Sequence, residues 1–173
     1  MISEQLQGKD GMEEQLEIKT KKHERFNIMK KINSARALIR ATGVSLNEAM
    51  TLKKDDVSFD EYGHMTVNIA EGECPRNVIV DDEEPVKELL EDARAAGREM
   101  LLETAISNFD CTHERATYAQ RLYARLSADG RSIGREFHTF GEVKYDAAAV
   151  EIVSRSMGIK NRRAIAKFFK EEL

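Results

Sequence analysis

The chain has little cysteine, and this shortage excludes several classes of protein. Its 173 residues include two cysteines, Cys74 and Cys111, which are too few to staple a small secreted domain. Two free thiols in a reducing cytosol are therefore expected rather than a disulfide. Neither the CxxC nor the HxxxH spacing occurs, so the sequence predicts no metal site, and no cofactor is expected.

Long apolar runs are also missing. Charged residues make up 34% of the chain, and no stretch reaches the roughly 20 apolar residues that a membrane-spanning helix needs. The N-terminus is acidic and polar rather than basic and then apolar, so no signal peptide is predicted. We expect a cytoplasmic protein without membrane contact, long enough to build one domain with its own core.

The net charge of −4 is unevenly distributed along the chain. Residues 19–40 contain eight basic residues and one acid, and residues 151–173 contain six basic residues and three acids. The middle, residues 41–110, is strongly acidic. Two basic segments around an acidic one can form a positive face, which phosphate contacts favour. Ordinary solvated helix surfaces are the competing interpretation.

Apolar spacing predicts a mainly helical domain at 21–173 with one small antiparallel hairpin, preceded by a flexible lead-in at 1–20. The first helix is expected at 21–41, with one buried stripe: Phe26, Ile28, Met29, Ile32, Ala35, Leu38 and Ile39. Later helices are expected at 86–96, 98–107, about 112–126, 146–157 and 161–173, strands at 65–69 and 77–80, and an irregular loop at 127–141.

Two local signals follow the first helix. Thr42-Gly43 ends it, with glycine at the C-terminal cap. Ser45 and Glu48 then form the Ser-x-x-Glu pattern of a capping box, which predicts the start of a second, short helix.

Four sequence motifs occur in a fixed order. Thr42-Gly43-Val44-Ser45 is followed by Glu48-Ala49, Leu52 and Asp56-Val57. This segment resembles the first motif of the tyrosine recombinases, the phage-integrase family, in which an arginine stands where this chain has Ser45. Residues 70–80 resemble the second motif, a hairpin loop, and Glu71 stands in the slot of the catalytic lysine.

The other two motifs lie in the second half of the chain. Arg115, followed by Tyr118-Ala119-Gln120, resembles the third motif and takes the slot of the second arginine; His113 lies one residue from the histidine slot. Residues 153–159 resemble the closing motif, with Ile159 in a histidine slot. The nucleophilic tyrosine is expected nine residues later, where the chain has Phe168.

The resemblance covers residues 21–169 and implies the fold of the recombinase catalytic core without the family's N-terminal DNA-clamping domain. The family transfers a DNA phosphate to the tyrosine, with arginines on the phosphate oxygens and lysine and histidine moving protons. Arg115 and His113 are the catalytic remnants. Because phenylalanine has no hydroxyl, the substitutions at Ser45, Glu71, Ile159 and Phe168 predict that strand cleavage is lost.

Candidate DNA contacts follow from the basic segments and the motifs. They are Arg36, Arg40, Arg76, Arg115, Lys160, Arg162, Arg163 and Lys167. Arg76 pairs either with a DNA phosphate or with Asp81 or Asp82. Phe168 and Phe169 are expected either in the core or at a partner interface, because the last helix of the family often packs on a neighbouring protomer.

Three functions stay open at this point. The first is a non-cleaving, double-stranded-DNA-binding regulator or accessory factor of a phage, plasmid or integrative element, encoded by a bacterium or a phage. The second is a divergent but active tyrosine recombinase. The third is a protein-interaction module that has lost DNA binding, which the acidic middle and the net charge of −4 favour.

Overall fold

The computed structural model describes residues 4–70, 74–103, 109–128 and 136–170, with side chains described from residue 19 onward except at 128 and 162. The predicted mainly helical architecture with a small antiparallel sheet is confirmed. The helices are α1 (Glu4–Thr42), α2 (Leu46–Thr51), α3 (Glu83–Ala95), α4 (Thr112–Ala128), α5 (Ala147–Ser156) and α6 (Arg162–Lys170). The strands are β1 (Val57–Phe59), β2 (Met65–Ile69), β3 (Arg76–Ile79), β4 (Phe137–Phe140) and β5 (Val143–Asp146).

The first sheet has the strand order β1-β2-β3, antiparallel throughout. Val67 of β2 lies opposite Val57 of β1 and Val78 of β3. Met65, Val67 and Ile69 alternate onto one buried face, as their spacing predicts. The predicted β2–β3 hairpin is therefore confirmed, and β1 extends it to three strands.

A second antiparallel pair is formed by β4 and β5, and β4 lies within the segment 127–141 that was expected to be an irregular loop. That prediction was wrong for residues 137–140, where Phe137 and Thr139 face solvent and Phe140 is buried. Gly141, at φ +66°, supplies the left-handed backbone that the tight turn needs. Residues 129–135 lie outside the described residues.

Helix α1 begins at Glu4 rather than near residue 21, and its predicted buried stripe is only half correct. Leu38 and Ile39 are fully buried, but Phe26 and Met29 are 67% and 55% exposed. Ile28, also in the predicted stripe, is 53% exposed. Helical spacing therefore identified an apolar face correctly, but only its C-terminal part is covered by the rest of the chain.

The predicted helix at 98–107 was also wrong over the part that the structure describes. Residues 98–103 run as bends, Met100 forms an isolated antiparallel bridge with Lys53, and the Leu101 amide donates to the Leu52 carbonyl at 3.0 Å. Leu101 and Leu102 are buried, so the apolar residues cover the end of α2 instead of forming a helical face. Residues 104–108 lie outside the described part.

Buried side chains form two clusters. The first core lies among the end of α1, α2, β1–β3 and α3, and the second core lies among α4, α5, α6 and β4–β5. Helix α4 packs against α1 on one side and against α5 and α6 on the other, so it joins the two cores. In the described ranges, no helix combines the length and apolar composition needed to cross a membrane.

Candidate nucleic-acid interface

Arg115, on the first turn of α4, lies where segments distant in sequence meet. Its Nε donates to the Gly43 carbonyl at 3.0 Å, and its Nη2 donates to the Met157 carbonyl at 3.1 Å. Burial lowers the pKa of this guanidinium, yet an arginine remains charged at neutral pH. One cation therefore holds together the turn after α1, the start of α4 and the end of α5.

Phe168 of α6 completes the surroundings of Arg115. The Arg115 Cζ lies 5.1 Å from the centroid of the Phe168 ring, within cation–π range, and Phe168 is 1% exposed. The Gln120 side chain donates to the Phe168 carbonyl at 3.0 Å, which fixes the backbone of α6 against α4. Of the two expectations for Phe168 and Phe169, the core position is confirmed, since both are buried in the second core.

Arg76 is used within the fold. Its Nη1 and Nη2 donate to the two carboxylate oxygens of Glu48 at 2.7 and 3.1 Å, in a bidentate ion pair. Its Nε donates to the Ser156 carbonyl at 2.8 Å, and its Nη1 also donates to the Cys74 carbonyl at 3.0 Å. Of the two alternatives for Arg76, the pairing with Asp81 or Asp82 was wrong, because its ion pair is with Glu48. The side chain is 6% exposed, so little of it is accessible to a phosphate, the other alternative.

Gly158 makes room for this ion pair. A Cβ added at Gly158 would lie 2.7 Å from the Cζ of Arg76, and the glycine has φ +69° after the end of α5. The guanidinium therefore packs on bare backbone, and a side chain at 158 would displace it.

Glu48 has two roles that were not combined in the sequence analysis. It completes the predicted capping box, which is confirmed, because Ser45 N donates to its Oε2 at 2.8 Å and its own amide donates to Ser45 Oγ at 3.3 Å. Burial alone would raise the pKa of Glu48. The hydrogen bonds from Arg76 and Ser45 outweigh burial, so the pKa is lowered and the carboxylate stays ionised.

Tyr118 of α4 is buried, and its hydroxyl contacts β3 and α5, the strand that carries Arg76 and the helix whose end accepts from Arg76. Its hydroxyl lies 2.8 Å from the Ile79 carbonyl, to which it donates, and 2.5 Å from the Ser156 Oγ. Burial raises the pKa of Tyr118 well above its ordinary value. The phenol is therefore protonated and already engaged with the backbone, so it is not poised to act as a nucleophile. We call Arg76, Glu48, Arg115, Tyr118 and Ser156 the polar seam.

Outside the seam, the end of α1 presents two arginines beside the start of α4. Arg36 Nε and Arg40 Nη2 lie 3.5 and 4.0 Å from the Glu114 carboxylate, whose side chain is 4% exposed. Arg36 also lies over the Phe109 ring at 5.4 Å. Each arginine side chain remains 46% exposed, so it can reach outward while its partner stays buried.

Lys167 approaches the same place from α6. Its Nζ lies 4.7 Å from the Phe168 centroid, on the ring that also carries Arg115. Hydrogen bonds from Thr112 lower the pKa of Asp110, and the positive charge of Lys167 lowers it further. Arg36, Arg40 and Lys167, which we call the basic rim, therefore lie near the first turn of α4, two of them beside Glu114 and one on the Phe168 ring beside Arg115.

The remaining predicted residues are more scattered. Lys160 lines a separate cleft of about 420 Å³ with His138 and Arg155, and Arg163 is exposed at the start of α6. His113 is exposed on the first turn of α4. Ile159 is half-buried against the second core. The Arg162 side chain and all of Glu71 lie outside the described residues.

Glu114 and Ser156 are polar residues of this region that were not predicted as site residues from the sequence. Each is buried at 3% exposure; Glu114 directly precedes Arg115, and Ser156 lies within the closing motif at 153–159. Among the described residues, no group of three or more His, Cys, Asp and Glu side chains is arranged to hold a metal ion. No protein-family model, no curated protein and no solved structure matches the chain.

Proposed function

We propose that the chain binds double-stranded DNA through the basic rim, on a scaffold like the recombinase catalytic core, and does not cleave it. One observation carries the proposal. The turn after α1 belongs to the first motif of the resemblance, the end of α5 and Phe168 belong to the closing one, and all three contact Arg115 of the third motif. These hydrogen bonds join residues that are 72 and 42 positions apart in sequence. A chance resemblance would not be expected to bring the motifs together in space in this way.

The environment of Phe168 supports the absence of cleavage. The position that corresponds to the nucleophile lies beside the retained arginine, so the register of the resemblance is spatially consistent. Phenylalanine there offers a ring face to two cations and has no oxygen with which to attack a phosphodiester. Ser45, in the slot of the first arginine, is committed to capping α2.

The basic rim supports binding without chemistry. Many backbone contacts to DNA come from lysine and arginine, and the rim supplies two arginines and one lysine near the start of α4. Such contacts position a protein on a duplex and need no catalytic group. The chain would thus act as a regulator or accessory factor that occupies a site on a mobile element.

A gel-shift assay across a salt series tests this proposal, with Lys167→Gln as the rim variant and Arg94→Gln, exposed on α3, as the charge-matched control. Wild-type protein is expected to bind duplex DNA at low salt. Lys167→Gln should weaken binding several-fold and reduce the slope of log K against log salt by about 1. Arg94→Gln should bind like wild type. Absence of binding at low salt would overturn the proposal.

The same DNA, prepared as a nicked suicide substrate, separates binding from catalysis. We expect no covalent protein–DNA adduct, because the position beside Arg115 is a phenylalanine. An adduct would establish the active recombinase instead.

The protein-interaction module remains the second candidate, and one observation favours it: both seam arginines already donate to groups of the protein itself. Unchanged migration of every DNA tested, at every salt concentration, together with a stable oligomer on sizing, would favour that candidate.

A further inference from the structure

Helix α1 extends beyond the body that it helps to build. It has 39 residues, about 58 Å at 1.5 Å per residue, and every residue from 19 to 30 is exposed. Phe26, Ile28 and Met29 are each more than half exposed within this stretch. Single exposed apolar residues are common, but three within four positions on a protruding helix form a patch that water does not favour.

A groove lies beside the patch, between α1 and α3. It encloses about 410 Å³ and is lined by Phe26, Met29 and Ala37 of α1 and by Pro85, Glu88 and Asp92 of α3. On α1 these residues span about 17 Å, from 26 to 37, which is three turns of helix. The exposed segment 19–30 has the same length, so one such segment can lie along the groove.

The charges of the two parts are complementary. Segment 19–30 carries Lys19, Lys21, Lys22, Arg25 and Lys30 against the single acid Glu24. The α3 wall of the groove presents exposed carboxylates at Glu88 and Asp92. A helix with the charges and apolar residues of segment 19–30 therefore meets both an apolar floor and an acidic wall.

We propose that a second copy of this chain occupies the groove, with the two α1 helices antiparallel around a twofold axis. Phe26 and Met29 belong both to the segment and to the groove wall, so the surface is complementary to itself. Self-complementarity is what a twofold interface requires, since each residue is used once from each side. The pairing would cover the exposed apolar residues of both copies at the same time.

This interface differs from the one that the resemblance implied. The apolar side chains of α6, Phe168 and Phe169, are packed in the chain's own second core. Segment 19–30 and the α1–α3 groove involve the opposite half of the molecule, next to the first core. The dimer does not depend on DNA binding, and it is tested without DNA.

Sedimentation equilibrium of the full chain measures the dimer directly. Wild type should reach twice its 19.6 kDa chain mass, and the double variant Phe26→Asp/Met29→Asp should raise the dimer Kd at least about tenfold. Both residues are exposed, so circular dichroism should show a folded variant. Ile152→Asp, at an exposed apolar position on α5, is the matched control and should stay dimeric. A monomeric wild type at high micromolar concentration overturns the proposal.

Charge reversal tests the pairing itself. One variant carries Lys22→Glu and Arg25→Glu, and the other carries Glu88→Lys and Asp92→Lys. Each alone should be weakened by repulsion, whereas an equal mixture should form heterodimers, because each of the two contacts then joins opposite charges. A mixture that stays as weakly associated as its components overturns the proposed partner surfaces, even if wild type is dimeric.

Discussion

The two cores differ in chemistry as well as in position. The first core is built almost entirely from aliphatic residues such as Leu38, Val67 and Leu90. The second is rich in aromatic residues, and Phe169 contacts the rings of Tyr123, Phe140 and Tyr145. Aliphatic packing tolerates several orientations of neighbouring elements, whereas rings packed edge to face and hydroxyls that need partners are more selective.

The polar seam connects these two kinds of packing. Arg76 links α2 and β3, on the side of the first core, to the carbonyl of Ser156 on α5. Tyr118 is rooted in the second core and reaches the Ile79 carbonyl of β3. Directional bonds at the junction therefore fix the relative placement of two halves that apolar contact alone would leave adjustable.

The largest effect is expected at Gly43, where the first core meets the second. A Cβ at this position would lie 2.1 Å from Cδ1 of Tyr118, and the backbone has φ +68°. Gly43→Ala should lower the free energy of unfolding by roughly 4 kcal/mol, from backbone strain and overpacking together. Gly97→Ala, at φ +64° with open space around it, should cost about 1 kcal/mol. Urea denaturation followed by circular dichroism measures the unfolding free energy of both variants. Equal losses for Gly43→Ala and Gly97→Ala would mean that the clash with Tyr118 does not affect stability.

A smaller effect is expected from the ion pair of the seam. Glu48→Gln leaves the nearly buried Arg76 without its counter-charge and should cost roughly 3 kcal/mol of unfolding free energy. Glu99→Gln breaks the exposed Lys53–Glu99 pair instead and should change stability by less than about 1 kcal/mol. The same denaturation assay applies, and a Glu48→Gln variant as stable as Glu99→Gln would show that the seam does not hold the two cores together.

The smallest of the three effects concerns a single hydroxyl. Tyr118→Phe removes the donor to the buried Ile79 carbonyl and should cost roughly 1–2 kcal/mol. Tyr62→Phe, at a side chain that is 76% exposed, should leave stability within about 0.5 kcal/mol. Thermal unfolding midpoints distinguish the two variants. Equal midpoints would show that the hydrogen bond of the Tyr118 hydroxyl does not stabilise the fold.

Local chemistry made the parts of the fold near these residues predictable. The Ser45–Glu48 capping box, the alternation of Met65, Val67 and Ile69, and the glycine after α1 each depend on residues within a few positions of one another. Such signals act over one turn or one strand, so the sequence alone contains them. The start of α2, the extent of β2 and the end of α1 follow from them closely.

Long-range contacts account for what was missed. Arg76 finds Glu48 across 28 residues, and no local pattern distinguishes that acid from Asp81 or Asp82 nearby. Helical spacing predicted an apolar face through Phe26 but could not say how far the body covers it. Residues 98–103 were predicted to be helical from their apolar spacing. In the structure they form bends, and Leu101 and Leu102 pack into the first core.

The double use of Glu48 limits how this protein can be redesigned. An arginine introduced at position 45, the slot of the first arginine in the resemblance, would delete the side chain that caps α2 and would bring a second guanidinium to a carboxylate already bound by Arg76. Installing the arginine of the resemblance at position 45 would therefore begin with a loss of stability. Accommodating it would require changes at 45, 48 and 76 together.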